Sequence, residues 1–203
     1  MPDLFRAGGV TMLPLLIFSF VSLALALERS WFWIRLQGQQ RPLVEQVIGV
    51  YRQQPEAAIS KLKQYPHLPV ARIFLAALAD RNLDPEEFRL ALENATQAEL
   101  PHLKRFQTFF ETVTGVAPLL GLLGTILGLI QALSALQPGQ TQVPMGVTVG
   151  IGEALISTAA GLLIAITTLL LASLFRALYR RQISFLQTAA GHLELLHRRQ
   201  QRS

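Results

Sequence analysis

The chain has 203 residues, of which 51% are hydrophobic and only 15% charged, too apolar for an ordinary soluble domain and suited to a polytopic membrane protein. Its formal charge of +5 is carried by residues 176–203, where six Lys and Arg face one acid, so anionic headgroups are the expected partner ahead of nucleic acid. No cysteine is present, which excludes disulfides, thiol catalysis and cysteine metal sites.

The first apolar run lies between Arg6 and Glu28, with Val10 to Leu27 almost continuously apolar and Pro14 in its first turns. That is long enough for one tilted span. The competing reading is a cleavable signal peptide, because Ala24-Leu25-Ala26 mimics a small-x-small cleavage site. The run, however, exceeds the roughly 7–15 residues of such a core. Arg29, Arg35 and Arg41 follow the span and only Arg6 precedes it, which places the amino terminus outside and the following segment in the cytoplasm.

Residues 28–112 read as helices broken by proline. Leu43, Val44, Val47, Ile48 and Tyr51 keep helical spacing up to Pro55, Ile59 and Leu62 continue a short amphipathic piece, and Val70, Phe74, Ala77 and Leu78 form the next apolar face. Asp84-Pro85-Glu86-Glu87 is a helix start, with Asp84 as N-cap, Pro85 at the first position and Glu87 in the capping-box place; Phe88, Leu92 and Ala95 then share a face. Neither strand-like alternation nor a glycine-rich phosphate loop occurs here, so the segment is expected to be a helical scaffold. From Pro101 the pattern predicts one helix running into the membrane.

Thr112 to Gly152 carries no charge over 41 residues, too long for one span. Gln137 to Pro144 supplies the turn. The expected layout is an external amino terminus with a first transmembrane helix over 1–27 (about 7–27), a cytoplasmic helical segment over 28–112, a second transmembrane helix over 113–136, an external loop over 137–146, a third transmembrane helix over 147–175 and a basic cytoplasmic helical tail over 176–203. The fold class is all-α, a polytopic membrane protein with three transmembrane helices, the second and third extended into the cytoplasm. Phe175, Tyr179, Ile183, Leu186, Ala190 and Leu193 continue the helical pattern past the bilayer and need a covering helix. Arg176, Arg180 and Arg181 fall at the membrane surface.

The third span has a small-residue stripe at Gly150, Ala154, Ser157, Gly161, Ala165, Thr168 and Ala172, and the second has one at Pro118, Gly121, Thr125, Gly128 and Ala132, with Gly124 and Gly128 adding a GxxxG pair. Two such stripes joined by a short turn predict a tight hairpin. Thr125 and Thr158 are the hydroxyls of the two stripes; alternatively each bonds its own helix carbonyl four residues back. Glu153 is the single ionisable residue of the third span, and an acid near the bilayer interior costs about 3 kcal/mol unless it faces protein or water. Glu153 and Thr158 lie about 140° apart on an ideal helix, so the two cannot face the same way. Glu153 could carry protons or be a hydrogen-bonded packing residue.

VAPLLGLLGTILGLI (Val116 to Ile130) followed by GIGEALISTAAGLLIAI (Gly150 to Ile166), with three spans and one large cytoplasmic segment, resembles the ExbB/TolQ branch of the MotA/TolQ/ExbB proton-channel family. The resemblance covers residues 70–175 and reaches the first span by arrangement only. It implies a homo-oligomer, pentameric in this family, around a dimer of an ExbD- or TolR-type single-span partner that brings a proton-carrying aspartate. It further implies that Thr125, Thr158 and Glu153 match the family's pore hydroxyls and third-helix acid; with Glu153 and Thr158 set apart around the helix, Thr125 and Thr158 are then expected to line the pore and Glu153 to point toward a neighbouring subunit or the mouth. The assembly would sit in the bacterial inner membrane and use proton flow to drive a TonB- or TolA-like transducer acting on the outer membrane. No cofactor is expected. An intramembrane protease is disfavoured because His67, His102, His192 and His197 all lie outside the spans, with His192 and His197 expected on a solvated face. The remaining alternative is a non-conducting membrane scaffold that only assembles the partner.

Overall fold

The computed structural model describes residues 9–80, 83–134 and 145–200, and every regular element among them is an α-helix. These are α1 (Met12–Tyr51), α2 (Pro55–Leu62), α3 (Pro69–Ala77), α4 (Pro85–Leu103), α5 (Gln107–Ser134) and α6 (Met145–Gln200). Windows in α1, α5 and α6 are long and apolar enough to cross a membrane, giving three spans. The amino-terminal stretch before Gly9 and residues 137–144 of the expected external loop lie outside the described residues. Two compact units result, one from residues 1–28 and 106–175, the other from residues 29–105 and 176–203.

The first unit holds the three apolar segments. Its core is small: Leu15 of α1, Val113 and Ala117 of α5 and Ala165 of α6 are buried, and Met12, Phe18, Phe109, Leu120, Ala160 and Ile164 pack around them. Phe110 and Phe175 close one end with ring centroids 5.5 Å apart. Large apolar side chains point outward along all three segments, among them Phe20, Leu23, Leu119, Leu133, Leu155 and Leu170. This inside-out distribution suits a hydrocarbon surround, where leucine gains little by leaving lipid and small residues let backbones approach.

The second unit has an ordinary water-facing design. Phe74, Phe88, Leu62, Leu68, Leu103, Leu186 and Leu193 are almost fully buried. α2, α3 and α4 each begin with proline, whose fixed φ and missing N–H fit the first helical turn. At α4 the Asp84 carboxylate accepts from the Glu86 and Glu87 N–H groups at 2.8 and 2.7 Å, and the Glu87 carboxylate accepts from the Asp84 N–H at 3.0 Å, which completes the capping box. Arg72 forks onto Glu99, donating from Nε at 2.6 Å and Nη2 at 2.5 Å, and reaches the Pro66 carbonyl at 3.0 Å. The Glu99 hydrogen bond holds the Arg72 guanidinium above its usual range against the burial that would lower it.

α1 runs unbroken through Pro42, where Gly38, four residues earlier, supplies the carbonyl that the ring crowds. Two expectations need correction. The single helix expected from Pro101 into the membrane is interrupted. α4 ends at Leu103, Lys104 donates its N–H to Leu100 at 3.0 Å, and Phe106 takes φ +65°, a left-handed conformation that a right-handed helix cannot accommodate. The Phe106 carbonyl then accepts from the Phe110 N–H at 3.2 Å as α5 begins.

The second correction concerns His197, which is only 7% exposed instead of lying on a solvated face. Its ring stacks on Phe88 at 4.0 Å, Nε2 lies 3.4 Å from the Leu83 carbonyl and Nδ1 lies 3.1 Å from the Tyr51 hydroxyl. A carbonyl only accepts, so Nε2 carries the proton and Tyr51 donates to Nδ1. Burial raises the Tyr51 phenol above its usual range, consistent with that donor role.

Candidate functional site

The α5/α6 contact in the first unit is made by backbone. A methyl added at Gly161 would stand 2.6 Å from the Ala117 carbonyl, and one at Gly121 would stand 3.1 Å from Ser157 O and Thr158 Cα. Gly128 and Gly150 face each other, each placing a hypothetical Cβ 2.7 Å from the other's carbonyl, with Ala154 and Ala132 beside them. Gly124 leaves the space that the Ser157 side chain fills. On α6, Gly150, Ala154, Ser157, Gly161, Ala165, Thr168 and Ala172 are all buried. On α5 the buried line is Ala117, Gly121, Gly124, Gly128 and Ala132. Pro118 and Thr125, which the sequence reading placed on that line, are only half-buried. The contact is centred one residue away, on Ala117 and Gly124.

That small rotation decides where the two threonine hydroxyls go. Thr125 donates to the Leu122 carbonyl of its own helix at 2.6 Å, three residues back and not four. Thr158 instead crosses the interface and donates to the Gly121 carbonyl at 3.0 Å. In both, the hydroxyl proton is committed to a backbone carbonyl while the oxygen lone pairs stay available as acceptors.

Ser157 has a second function beyond its small size. Its hydroxyl is 2.7 Å from that of Thr11, and both residues are buried, at 0% and 4% exposure. This ties the start of α1 to the middle of the hairpin. Sequence reading missed Thr11; the available signal was a hydroxyl at the entry of an apolar run, which is common and therefore weak. Ser22, also on α1, is buried with no hydrogen-bond partner among the described residues.

Glu153 is half-buried on α6 and lies off the glycine line. Its Oε2 is the nearest atom to a methyl built on Gly9, at 3.7 Å, and Gly9 has φ +68°. The acid is therefore beside the chain entering α1, away from Thr158, as the helix geometry requires. No cluster of three metal-ligating side chains exists among the described residues. Arg176, Arg180 and Arg181 are exposed in the second unit.

Comparison with known proteins bears on residues 66–188, which match the model of the MotA/TolQ/ExbB proton channel family. The chain is 54% identical over 195 residues to the biopolymer transport protein ExbB-like 3 of Synechocystis sp., covering 95% of this chain and 93% of that protein. It is 38% identical to ExbB-like 1 of the same organism, over 97% of this chain and 78% of that one. The Tol-Pal system protein TolQ of Pseudomonas aeruginosa is 27% identical over 88% of this chain and 86% of its own length.

Proposed function

Because the chain belongs to the MotA/TolQ/ExbB proton channel family, on its ExbB/TolQ branch, we propose that it is the pore-forming subunit of an inner-membrane proton channel that couples the proton motive force to a transducer. In this reading several copies, five as in the family, surround a dimer of an ExbD- or TolR-like single-span protein, and the assembly drives a TonB- or TolA-like protein acting on the outer membrane. The amino terminus is periplasmic and the carboxy terminus cytoplasmic. The chain itself catalyses no covalent chemistry and holds no cofactor.

The observation that carries the mechanism is the Thr158 hydroxyl crossing to the Gly121 carbonyl within the family-matched segment. With its proton fixed there, and that of Thr125 fixed on Leu122, each oxygen offers lone pairs to a donor. A protonated carboxyl on the partner finds two acceptors; a carboxylate, which needs donors, finds none there. The hydroxyls thus favour passage of the neutral, proton-loaded acid through a region where a bare charge is costly. Each proton crossing 100 mV releases about 2.3 kcal/mol, enough in small numbers to rearrange a packed bundle. Glu153, set near the entry of α1, acts at the mouth or against a neighbouring copy.

Proton flux into liposomes containing the chain and a single-span partner tests this reading. T158V and T125V should each lower flux by about tenfold, the rate equivalent of roughly one lost hydrogen bond, while the oligomer stays intact. If T158V and E153Q assemble and keep full proton-dependent activity, the chain is a scaffold and the pore assignment fails.

A further inference from the structure

In the second unit, Gln40 of α1 and Gln182 of α6 form a buried reciprocal amide pair, with Nε2 to Oε1 distances of 3.2 and 2.9 Å. Beside this pair is a cavity of about 30 Å³ lined by Gln37, Gln40, Arg41, Arg181, Gln182 and Phe185. No carboxylate lines it. Arg72, Arg89 and Arg198 of the same unit each contact a glutamate, whereas Arg41 and Arg181 make no ion pair among the described residues. Both are exposed, so the cavity opens to the surface between them.

Two arginines lining one cavity without an acid bring like charges to the same place, and the amides supply dipoles but no compensating charge. An oxyanion removes the repulsion and matches the forked donors of arginine, which suit phosphate geometry better than a point charge does. Size narrows the ligand. A water needs roughly 10–15 Å³ of such space, so the cavity of about 30 Å³ takes two or three oxygens of one tetrahedral group and leaves no room inside it for a nucleotide base or sugar. Position is also informative: Arg181 is six residues, about 9 Å along α6, past Phe175 at the end of the apolar run, which sets it at the outer edge of a headgroup layer roughly 5–8 Å deep. We propose that Arg41 and Arg181, on the floor made by the glutamine pair, form a binding site for a single phosphate group, supplied either by an anionic phospholipid headgroup or by soluble phosphate.

The thermal midpoint of the purified full-length protein, titrated with inorganic phosphate at constant ionic strength, tests the soluble source. Nanodiscs of phosphatidylcholine with and without phosphatidylglycerol, read by thermal midpoint and by lipid retained in native mass spectrometry, test the headgroup source. In at least one arm the wild type should respond, and R41Q/R181Q should weaken the apparent affinity by about tenfold or more, as expected for lost charge-assisted hydrogen bonds. R52Q/K63Q, which removes equal charge from exposed positions away from the cavity, should respond like the wild type. The single variants R41Q and R181Q fall between and keep the test readable if the pair fails to fold. A response to phosphate alone identifies the soluble source, and a response to phosphatidylglycerol alone identifies the headgroup. Absence of a wild-type response in both arms overturns the site, as does equal weakening in R41Q/R181Q and R52Q/K63Q.

Discussion

The two units of this chain bury opposite things. In the membrane unit the closest contacts are between glycine and backbone, and the large side chains face out; in the other unit phenylalanines and leucines fill the interior and polar side chains pair inside it. Lipid offers leucine no reason to leave it, so helices there gain by fitting closely, whereas in water burial of apolar area supplies the gain. The first unit should therefore be sensitive to added atoms and the second to removed ones.

The largest expected effect tests the second half of that contrast. Phe74→Ala, at a fully buried position of α3, should destabilise the chain by about 3–5 kcal/mol in chemical denaturation. An equal loss for Leu133→Ala, on an exposed apolar position of α5, would erase the distinction. Next, Gly161→Val should cost about 1–3 kcal/mol or prevent assembly in detergent, because its new methyls meet the Ala117 carbonyl. Gly115→Ala, with open space around it, should be neutral or gain up to about 1 kcal/mol from helix propensity. Similar outcomes for both glycines would mean that backbone contact does not hold the hairpin.

A smaller effect sharpens the picture of the polar interior. Gln40→Leu leaves the buried Gln182 amide unpaired and should cost about 1–3 kcal/mol, while Gln40→Leu/Gln182→Leu should recover most of it. A double-mutant cycle on thermal unfolding reads the coupling. The smallest effect concerns exposed charge. The hydrogen bond from Arg89, and then its charge, hold the Glu86 carboxyl below its ordinary value of 4.5. Because the folded value is depressed, the contribution is present above pH 4.5 and is lost as pH falls below it. The stability difference between wild type and R89Q should shrink on acidification from about pH 7 to pH 3, and added salt should shrink it at neutral pH.

Periodicity revealed the three apolar helices, the α4 capping box and the small-residue line of α6, because each is a local pattern with a direct physical meaning. It placed Pro118 and Thr125 on the α5 contact, which is centred instead on Ala117 and Gly124. Positions one apart differ by about 100° of helix rotation, and glycine occurs on both sides of the line, so spacing alone could not choose. Polar burial was least legible. The buried seam of α6 past Phe175 runs through Gln182 and His197 as well as Tyr179, Leu186 and Leu193, and an apolar pattern passes over the first two. Their partners Gln40 and Tyr51 lie 142 and 146 residues away. Nor did any glycine announce the turn at Phe106, whose left-handed backbone is held by a residue type that rarely adopts it.

The Gly128–Gly150 contact has a mechanical consequence. Rolling α5 about its own axis by one position, about 100°, would turn Leu127 or Leu129 into the place where two carbonyls already meet a glycine, and neither side chain has room there. The hairpin is thus locked against rolling of either helix about its axis, and any working stroke that passes through it must carry both helices as one body.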